Sequence, residues 1–463
     1  MGYIIDVLVG NIIGFIAGTV LTWSSPVQLD LEHPTDAPFG YPLTSEQTSW
    51  ISSLLALGAI VGPFVFGILA DKIGRKPTLL VCAVPFLIGF LVFSFVLYPW
   101  IFYVARFLMG MSVGGVFTVV PIYIGEVAEV SNRGALGTSL NCYICFGFFF
   151  SHFAGSYLSF FVFNLILSIF PATFIVLFFI IAEESPHYYV IKGKLDQAEM
   201  ALKKIRKGSE EVINEELMEM VEKVKESQSG SFLDIFKHKG LRKGFLICVC
   251  LLGFQQFSGI NAVLFYVEGI FTYATTNLHP KVCSIIVGAT QFLTSFTTPL
   301  VVDRVGRKVL LIVSAVGIII SEVPLGIYCY MHIKGYHVED VGFIPILCLV
   351  MYIIMFNTGL AILPWSMMGE LFPDSVKFKA SSLATSITWF LGFFIAKYFP
   401  SATDNVWLGI AFWIFAGFCI ICIPFTIFYV IETKGKSLQE IQDILQNLKR
   451  PAVQGLQIDL EEA

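Results

Sequence analysis

The chain has 463 residues, of which 56% are hydrophobic and only 14% are charged. Soluble globular proteins carry about 25% charged residues. This composition, with its 45 Phe residues, therefore excludes a typical soluble domain and favours lipid as the solvent. The formal net charge of −5 argues against a nucleic-acid partner.

The apolar residues form twelve runs, each close to the ~20 residues that a helix needs to cross a bilayer. The runs contain many Gly and Pro residues, which membrane helices tolerate better than soluble ones. We therefore predict an all-α membrane protein with twelve spans. The predicted spans cover residues 4–22, 50–70, 78–97, 101–124, 135–158, 161–182, 244–271, 282–302, 309–331, 342–367, 380–399 and 406–431.

The composition changes between the sixth and seventh predicted spans. This segment is rich in Lys and Glu and contains two amphipathic stretches, at 195–206 and 212–225. A further surface helix is expected at 438–448. The predicted parts are an N-terminal six-helix bundle (1–182), a cytosolic helical linker (183–243), a C-terminal six-helix bundle (244–431) and a cytosolic tail (432–463).

The Lys and Arg residues decide the predicted orientation, because they accumulate in loops on the cytoplasmic side. With both termini in the cytoplasm, all but four of the 29 basic residues fall in cytoplasmic segments. The four exceptions are Lys281, Lys334 and Lys397, near the outer face, and Arg106, within a span. The chain enters its first apolar run without a basic segment, so we expect no cleaved signal peptide.

A short charged motif occurs twice at corresponding places. Asp-Lys-Ile-Gly-Arg-Lys at 71–76 follows the second span, and Asp-Arg-Val-Gly-Arg-Lys at 303–308 follows the eighth. A weaker repeat places an acid and a base after the fourth span (126 and 133) and after the tenth (370 and 377). Two copies of one six-helix unit predict a pseudo-twofold transporter, with its site between the halves near the midplane.

The repeated acids and bases lie at the predicted cytoplasmic mouth, where the motif Gly allows a tight turn between helices. Fixed charges there can pair across the halves in one conformation and separate in another, so we interpret them as an inner gate. Alternatively, they only hold the topology. The predicted gate comprises Asp71, Arg75, Glu126, Arg133, Asp303, Arg307, Glu370, Lys377 and Glu432.

The ten Cys residues lie within apolar segments. Two C-x-x-C pairs, Cys142 with Cys145 and Cys419 with Cys422, have no second ligand pair, so they predict neither a metal site nor a redox motif. We interpret them as small packing residues. We expect no metal and no cofactor.

Two motifs resemble those of the sugar porter family of the major facilitator superfamily. Residues 255–261, in the predicted seventh span, read Gln-Gln-Phe-Ser-Gly-Ile-Asn, as in the QQxSGxN motif of that family. The fourth span ends in Pro-Ile-Tyr-Ile-Gly-Glu at 121–126, followed by Arg-Gly at 133–134, which are similar to its PxYxGE and RG elements.

Further motifs extend the resemblance over essentially the whole chain. The tenth span carries Pro-Trp at 364–365 and then Glu-Leu-Phe at 370–372. Glu-Thr-Lys-Gly at 432–435 resembles PETKG without its Pro. Glu-Ser-Pro at 184–186 resembles PESPR, although His187 stands where Arg is usual. The resemblance implies twelve helices in two pseudo-symmetric bundles and a sugar as the substrate.

A sugar site needs uncharged donors and acceptors beside flat apolar faces, and amides offer both functions. Three amides in one short stretch are costly inside a membrane unless they are used. The Trp residues could instead anchor the interface or pack. By resemblance, the substrate-binding residues are Gln255, Gln256, Asn261, Trp365, Trp389, Phe356, Asn141, Gln291 and Asn357, and the outer gate includes Phe265 and Tyr266.

The predicted site departs from the family pattern at three positions. Asn141 stands where many glucose carriers have Gln, Gln291 stands where the family has Asn, and Thr388 replaces a usual Asn. The side chains at these positions remain polar but differ in length from the usual ones. The overall likeness is nearest to facilitated trehalose and glucose carriers, and a disaccharide and a hexose both stay open as substrates.

Residues of the first span indicate whether sugar transport is coupled to protons. Proton-driven relatives carry an Asp in a G-Y-D element, where this chain has Gly-Phe-Ile at 14–16. Ile16 cannot carry a proton, which favours passive facilitation, although Arg106, the usual partner of that acid, is present. Glu268, Glu322 and His152 are ionisable and keep proton coupling open.

We therefore predict a sugar uniporter of the cell membrane that works by alternating access, with a sugar and the lipid bilayer as its partners. Proton–sugar symport is the alternative. A sugar sensor that does not transport is a third reading, disfavoured by the short predicted tail. An enzyme is not expected, because the sequence shows no nucleophile–base pair and no metal cluster.

Overall fold

A computed structural model describes most of the chain. The described residues are almost entirely α-helical and contain no β-strand. They are 2–35, 37–96, 98–129, 132–206, 209–226, 231–274, 278–297, 305–399, 407–436 and 438–446.

Long apolar runs form helices, because in lipid a helix satisfies its backbone hydrogen bonds internally. Among the described residues, seven helices make up the first part of the chain. They are α1 (Gly2–Thr22), α2 (Ser24–Glu32), α3 (Ser45–Ile73), α4 (Arg75–Phe95), α5 (Pro99–Val127), α6 (Arg133–Tyr157) and α7 (Phe160–Ile181). Four shorter helices follow. They are α8 (Pro186–Ile191), α9 (Leu195–Ile205), α10 (Glu210–Glu226) and α11 (Phe232–Lys237).

Among the described residues, nine α-helices make up the second part. They are α12 (Lys239–Phe257), α13 (Ile260–Tyr273), α14 (Pro280–Ser295), α15 (Arg307–Ile333), α16 (Ile344–Thr358), α17 (Leu363–Leu371), α18 (Asp374–Tyr398), α19 (Trp407–Phe428) and α20 (Leu438–Gln446). The two amphipathic stretches correspond to α9 and α10, whereas the sequence analysis did not predict α8 and α11.

Within the described residues, ten helical stretches are long and apolar enough to cross a membrane. Each of the twelve predicted spans coincides with a described helix or pair of helices. The two that are not among the ten are α6, which contains the polar residues Asn141, Ser151 and His152, and α14, which has only 16 residues.

The prediction of one continuous helix was wrong for two of the spans. The seventh is divided into α12 and α13 at Ser258 and Gly259, and the tenth into α16 and α17 at 359–362. Hydropathy did not reveal either break, because the residues at both remain apolar or small. Gly259 adopts φ +81°, in the left-handed region that only Gly enters at low cost.

Each break exposes backbone groups that a side chain from the other broken helix satisfies. Gln255 Nε2, at the end of α12, donates to the carbonyls of Leu360 (2.7 Å) and Ala361 (2.9 Å). The Tyr352 hydroxyl, on α16, donates to the Ser258 carbonyl at 2.8 Å. Irregular backbone at membrane depth is tolerated only when its polar groups find partners. The two breaks therefore stabilise each other.

The Gly of the repeated charged motif has the same backbone conformation in both copies. Gly74 (φ +105°) separates α3 from α4, and Gly306 (φ +103°) precedes α15. The motif Gly therefore forms the expected tight turn in both copies. We call the end of the molecule that carries these turns the charged face. The halves meet where α3 packs against α18 and α6 against α14.

Replacing Gly259 with Ala is expected to lower the thermal unfolding midpoint of the detergent-solubilised protein. A non-Gly residue in the left-handed region costs about 1–2 kcal/mol, and a Cβ at Gly259 would lie 2.5 Å from the Phe415 ring. Gly417→Ala is the control, because a Cβ there meets nothing within 4 Å. An equal midpoint for both variants would contradict a left-handed break at Gly259.

Candidate functional site

The predicted amides lie together at the junction of α12 and α13. Asn261 Nδ2 donates to Gln256 Oε1 at 2.6 Å, and both side chains are buried. Gln255 is also buried, but its amide nitrogen is occupied by the carbonyls of the α16–α17 break. The break therefore brings the Gln256 and Asn261 amides into contact, whereas the Gln255 amide stabilises the break between α16 and α17.

Aromatic rings from both parts of the chain meet around Phe117. The Phe117 ring, on α5, lies 5.7 Å from that of Trp365, on α17, and 5.9 Å from that of Trp389, on α18. Phe117 was missed, because no pattern distinguishes it among the 45 Phe residues. Phe356 stacks on Tyr352, at 5.9 Å between centroids.

Two buried donors of the predicted site have no hydrogen-bond partner among the described residues. They are Asn141 Nδ2, on α6, and Trp389 Nε1. Buried polar atoms normally have a partner, so each exception needs an explanation. Gln291 is buried on α14, and Asn357 Nδ2 donates to Thr294 Oγ1 at 2.6 Å. The arrangement offers hydrogen bonds and ring faces to a neutral polyhydroxylated molecule.

Gly392, on α18, has no side chain, and the amide pair lies close to where a Cβ at this position would be. A Cβ at this position would lie 2.4 Å from Asn261 Nδ2 and 2.9 Å from Gln256 Oε1. No sequence pattern indicates this role, because the contact joins helices that are far apart along the chain. The missing side chain of Gly392 thus leaves room for the Gln256–Asn261 hydrogen bond.

The two parts of the chain are in contact at the face opposite the charged one. Phe265 is fully buried, and its carbonyl accepts from Ser24 Oγ at 3.3 Å. Within the second part, the Tyr266 hydroxyl donates to the Ala396 carbonyl at 2.6 Å. Lys397 lies 4.2 Å from the centre of the Trp50 ring. The Ser24 and Lys397 contacts join α2 to α13 and α3 to α18, so the opposite face is closed at the predicted outer gate.

The predicted inner-gate charges pair within each half of the molecule. Arg75 forms a two-point ion pair with Glu126, with both N–O distances 2.8 Å, and it lies 3.7 Å from Asp71. Arg307 lies 3.1 Å from Glu370. The predicted pairing across the halves is absent from these described contacts and stays a prediction.

The remaining inner-gate predictions have different surroundings. Lys377 lines a cavity of about 290 Å³ together with Arg307, Glu370, Thr433 and Lys436. Asp303 and the side chain of Arg133 lie outside the described residues.

Glu184 and Glu432 occupy corresponding positions at the two charged turns. Glu184 accepts from the backbone N–H groups of Arg75 (2.9 Å) and Lys76 (3.1 Å). Glu432 accepts from those of Arg307 and Lys308, both at 3.0 Å. Each carboxylate therefore caps the positive end of a helix. The sequence analysis placed Glu432 in the gate and missed the matching role of Glu184.

The two capping carboxyls titrate differently. Burial would raise the pKa of Glu432, but hydrogen bonds from Arg307, Lys308 and Lys434 and the charge of Arg307 hold this pKa below its ordinary value. Burial dominates at Glu184 and raises its pKa above the ordinary value, despite similar hydrogen bonds. On acidification, Glu184 is therefore expected to take up a proton before Glu432 does.

Ile16, where the sequence resemblance implies an acid in proton-driven relatives, is fully buried. Arg106 instead donates to the carbonyls of Ile51 and Val20, each at 2.9 Å, and lies 5.2 Å from the Trp23 ring. The Arg106 guanidinium therefore supplies hydrogen bonds to backbone carbonyls of α1 and α3.

The three other candidates for proton coupling are buried. Glu268 Oε2, Glu322 Oε2 and His152 Nδ1 have no hydrogen-bond partner among the residues that the structure describes.

Two helical halves, a closed face and a buried site of amides and rings define a transporter of the major facilitator type. The profile of the family described as "Sugar (and other) transporter" matches residues 6–445. The chain belongs to this sugar transporter family; it is a multi-pass membrane protein and not an enzyme.

Curated relatives cover nearly the whole chain. The facilitated trehalose transporter Tret1 of Polypedilum vanderplanki is 33% identical over 431 residues, which are 92% of this chain and 84% of that protein. The protein of the same name in Bombyx mori is 34% identical over 433 residues, 93% of this chain and 83% of that protein.

Solved structures share the fold. The proton:xylose symporter XylE bound to 6-bromo-6-deoxy-D-glucose has a TM-score of 0.78 and 24% identity, covering 96% of this chain and 99% of that chain. A partially occluded inward-open conformation of XylE from E. coli has a TM-score of 0.77 and 23% identity, covering 94% and 99%. At this identity the likeness shows the fold alone.

Gly392→Ala is expected to reduce sugar uptake at least about tenfold, because moving the amide pair by a few tenths of an ångström disturbs hydrogen bonds worth ~1.5 kcal/mol. Uptake of labelled sugar into proteoliposomes measures the effect. Gly253→Ala is the matched control, because a Cβ there meets only Leu391, at an ordinary 3.6 Å. Normal uptake by Gly392→Ala would place the substrate away from Gln256 and Asn261.

Proposed function

We propose that this protein is a sugar uniporter that carries trehalose or glucose down its concentration gradient. The observation that carries the proposal is that Ile16, at the position where the sequence resemblance implies a coupling acid in proton-driven relatives, is a buried apolar residue, and that Arg106 donates to backbone carbonyls. A proton-coupled carrier needs an ionisable group in its pathway. The relatives named facilitated trehalose transporters support the same mode and the same class of sugar.

The substrate is proposed to bind between Gln256, Asn261 and the Phe117–Trp365–Trp389 rings. Hydroxyl groups of the sugar would accept from the unpartnered donors Asn141 Nδ2 and Trp389 Nε1. The other proposed substrate-binding residues are Gln255, Gln291, Phe356 and Asn357.

Transport is proposed to proceed by alternating access of the two halves. Phe265 and Tyr266 would separate from the facing half to open the outer side. The charges at the charged face would pair across the halves when the inner side closes and return to the intra-half pairs when it opens. The bundles at 1–182 and 244–431 would move largely as rigid bodies around the substrate.

The proposed location is the cell membrane, with both termini in the cytoplasm. The linker at 183–243 and the tail at 432–463 would then also be cytoplasmic. The concentration of Lys and Arg at the charged face supports this orientation.

Proton–sugar symport is the second candidate. The unpartnered Glu268 Oε2, Glu322 Oε2 and His152 Nδ1 favour it, because buried ionisable groups in membrane spans are costly unless they serve a function.

Purified protein in proteoliposomes is expected to equilibrate labelled trehalose or glucose at the same rate with and without an imposed proton gradient. Gln256→Ala is expected to abolish this uptake. Gln28→Ala, which removes an amide from the face opposite the charged one, should transport normally and serves as the control.

Accumulation above equilibrium only in the presence of the gradient would reject uniport. In that case Glu268→Gln, Glu322→Gln and His152→Gln would identify the group that carries the proton. No uptake of either sugar by folded wild-type protein would reject the proposed substrates.

A further inference from the structure

A second pocket opens at the charged face, away from the substrate site. Three cations from the start of α12 line it on one side, and apolar residues of α12 and the end of α19 line the other. The cavity volume is about 310 Å³. The cations are Lys239, Arg242 and Lys243, and the main apolar residues are Leu246, Phe425 and Tyr429.

The sequence spacing explains why the cations converge. Lys239, Arg242, Lys243 and Leu246 are at positions i, i+3, i+4 and i+7 of one helix, so they share one face. Like charges this close repel one another, and the arrangement raises the energy of the free pocket. An anion between them would remove that penalty.

Within the part of the chain that the structure describes, no carboxylate neutralises these three cations. No side-chain hydrogen bond or ion pair joins any of them to a residue that the structure describes, and no Asp or Glu lines the pocket. Other cations near this face do have carboxylate partners, as in the Arg75–Glu126 and Arg206–Glu216 pairs. The pocket is therefore a local concentration of uncompensated positive charge.

The apolar wall of the pocket is exposed. Leu246 is 56% exposed and lies near the start of one helix that is long and apolar enough to span a membrane, and Tyr429 is 60% exposed and directly follows the last residue of another. The neighbouring helix α11 extends this surface with Leu233 and Phe236, both exposed, and the Phe236 ring packs 5.7 Å from that of Phe245. Exposed apolar side chains here would contact acyl chains and not water.

We propose that this pocket binds a phospholipid with an anionic headgroup. The phosphate lies against Lys239, Arg242 and Lys243, and the acyl chains run along Leu246 and Tyr429 towards the membrane core. A free phosphate would make no contact with the apolar wall, whereas the acyl chains of a lipid would cover it. A lipid is therefore the proposed ligand. In the proposed topology the pocket faces the cytoplasmic leaflet, where anionic lipids attract basic residues near the membrane surface.

The test is a titration of the detergent-solubilised full-length protein with dioctanoyl phosphatidylglycerol, followed by native mass spectrometry. Dioctanoyl phosphatidylcholine has the same phosphodiester and chains but no net charge, so we expect it to bind at least about fivefold more weakly. The triple variant Lys239→Gln, Arg242→Gln, Lys243→Gln should lose the preference for phosphatidylglycerol. Tyr429→Ala should weaken binding of both lipids.

The control variant is Lys194→Gln, Lys223→Gln, Lys225→Gln, which removes the same charge from α10 and from the residue that precedes α9, and it should bind like the wild type. Equal loss in both triple variants would overturn the site, because it would reflect net charge alone. Equal binding of the two lipids to the wild type would also overturn it. Competition by millimolar inorganic phosphate as strong as by phosphatidylglycerol would show an anion site without a lipid.

Discussion

The structure depends on the mutual satisfaction of two broken helices inside the membrane. A break frees backbone carbonyls and N–H groups, and in lipid each such group without a partner costs several kcal/mol. Gln255 from the α12 side and Tyr352 from the α16 side supply the missing hydrogen bonds. Neither break has these partners without the other helix, so the two broken helices depend on each other.

The breaks in turn create the candidate site. Because α12 ends at Phe257 and α13 begins at Ile260, Gln256 and Asn261 come within 2.6 Å of each other. The irregular segment at 359–362 leads directly into α17, which carries Trp365 to the Phe117 ring of the other half. The polar groups and the rings thus meet at the junction of the halves, where relative motion of the halves would expose the substrate to one side and then the other.

The sequence predicts the spans and the tight turns better than it predicts the helix breaks and the tertiary contacts. Hydropathy located the spans, because burial in lipid is a property of each residue, and the repeated Gly74 and Gly306 turns followed from local backbone preference. The breaks at Gly259 and 359–362 could not be located, since the partners that permit them lie about 100 residues away. Likewise, Phe117, Gly392 and the capping role of Glu184 depend on tertiary neighbours that no local pattern encodes.

The most direct test of this account compares Tyr352→Phe with Tyr123→Phe. Each variant removes one buried hydroxyl that donates to a backbone carbonyl at 2.8 Å, at the α12–α13 break for Tyr352 and at Glu183, near the charged face, for Tyr123. Both variants should lose about 0.5–1.5 kcal/mol of stability. Only Tyr352→Phe is predicted to raise the KM for sugar uptake as well. Equal KM values for the two variants would contradict the claim that the reciprocal breaks position the site.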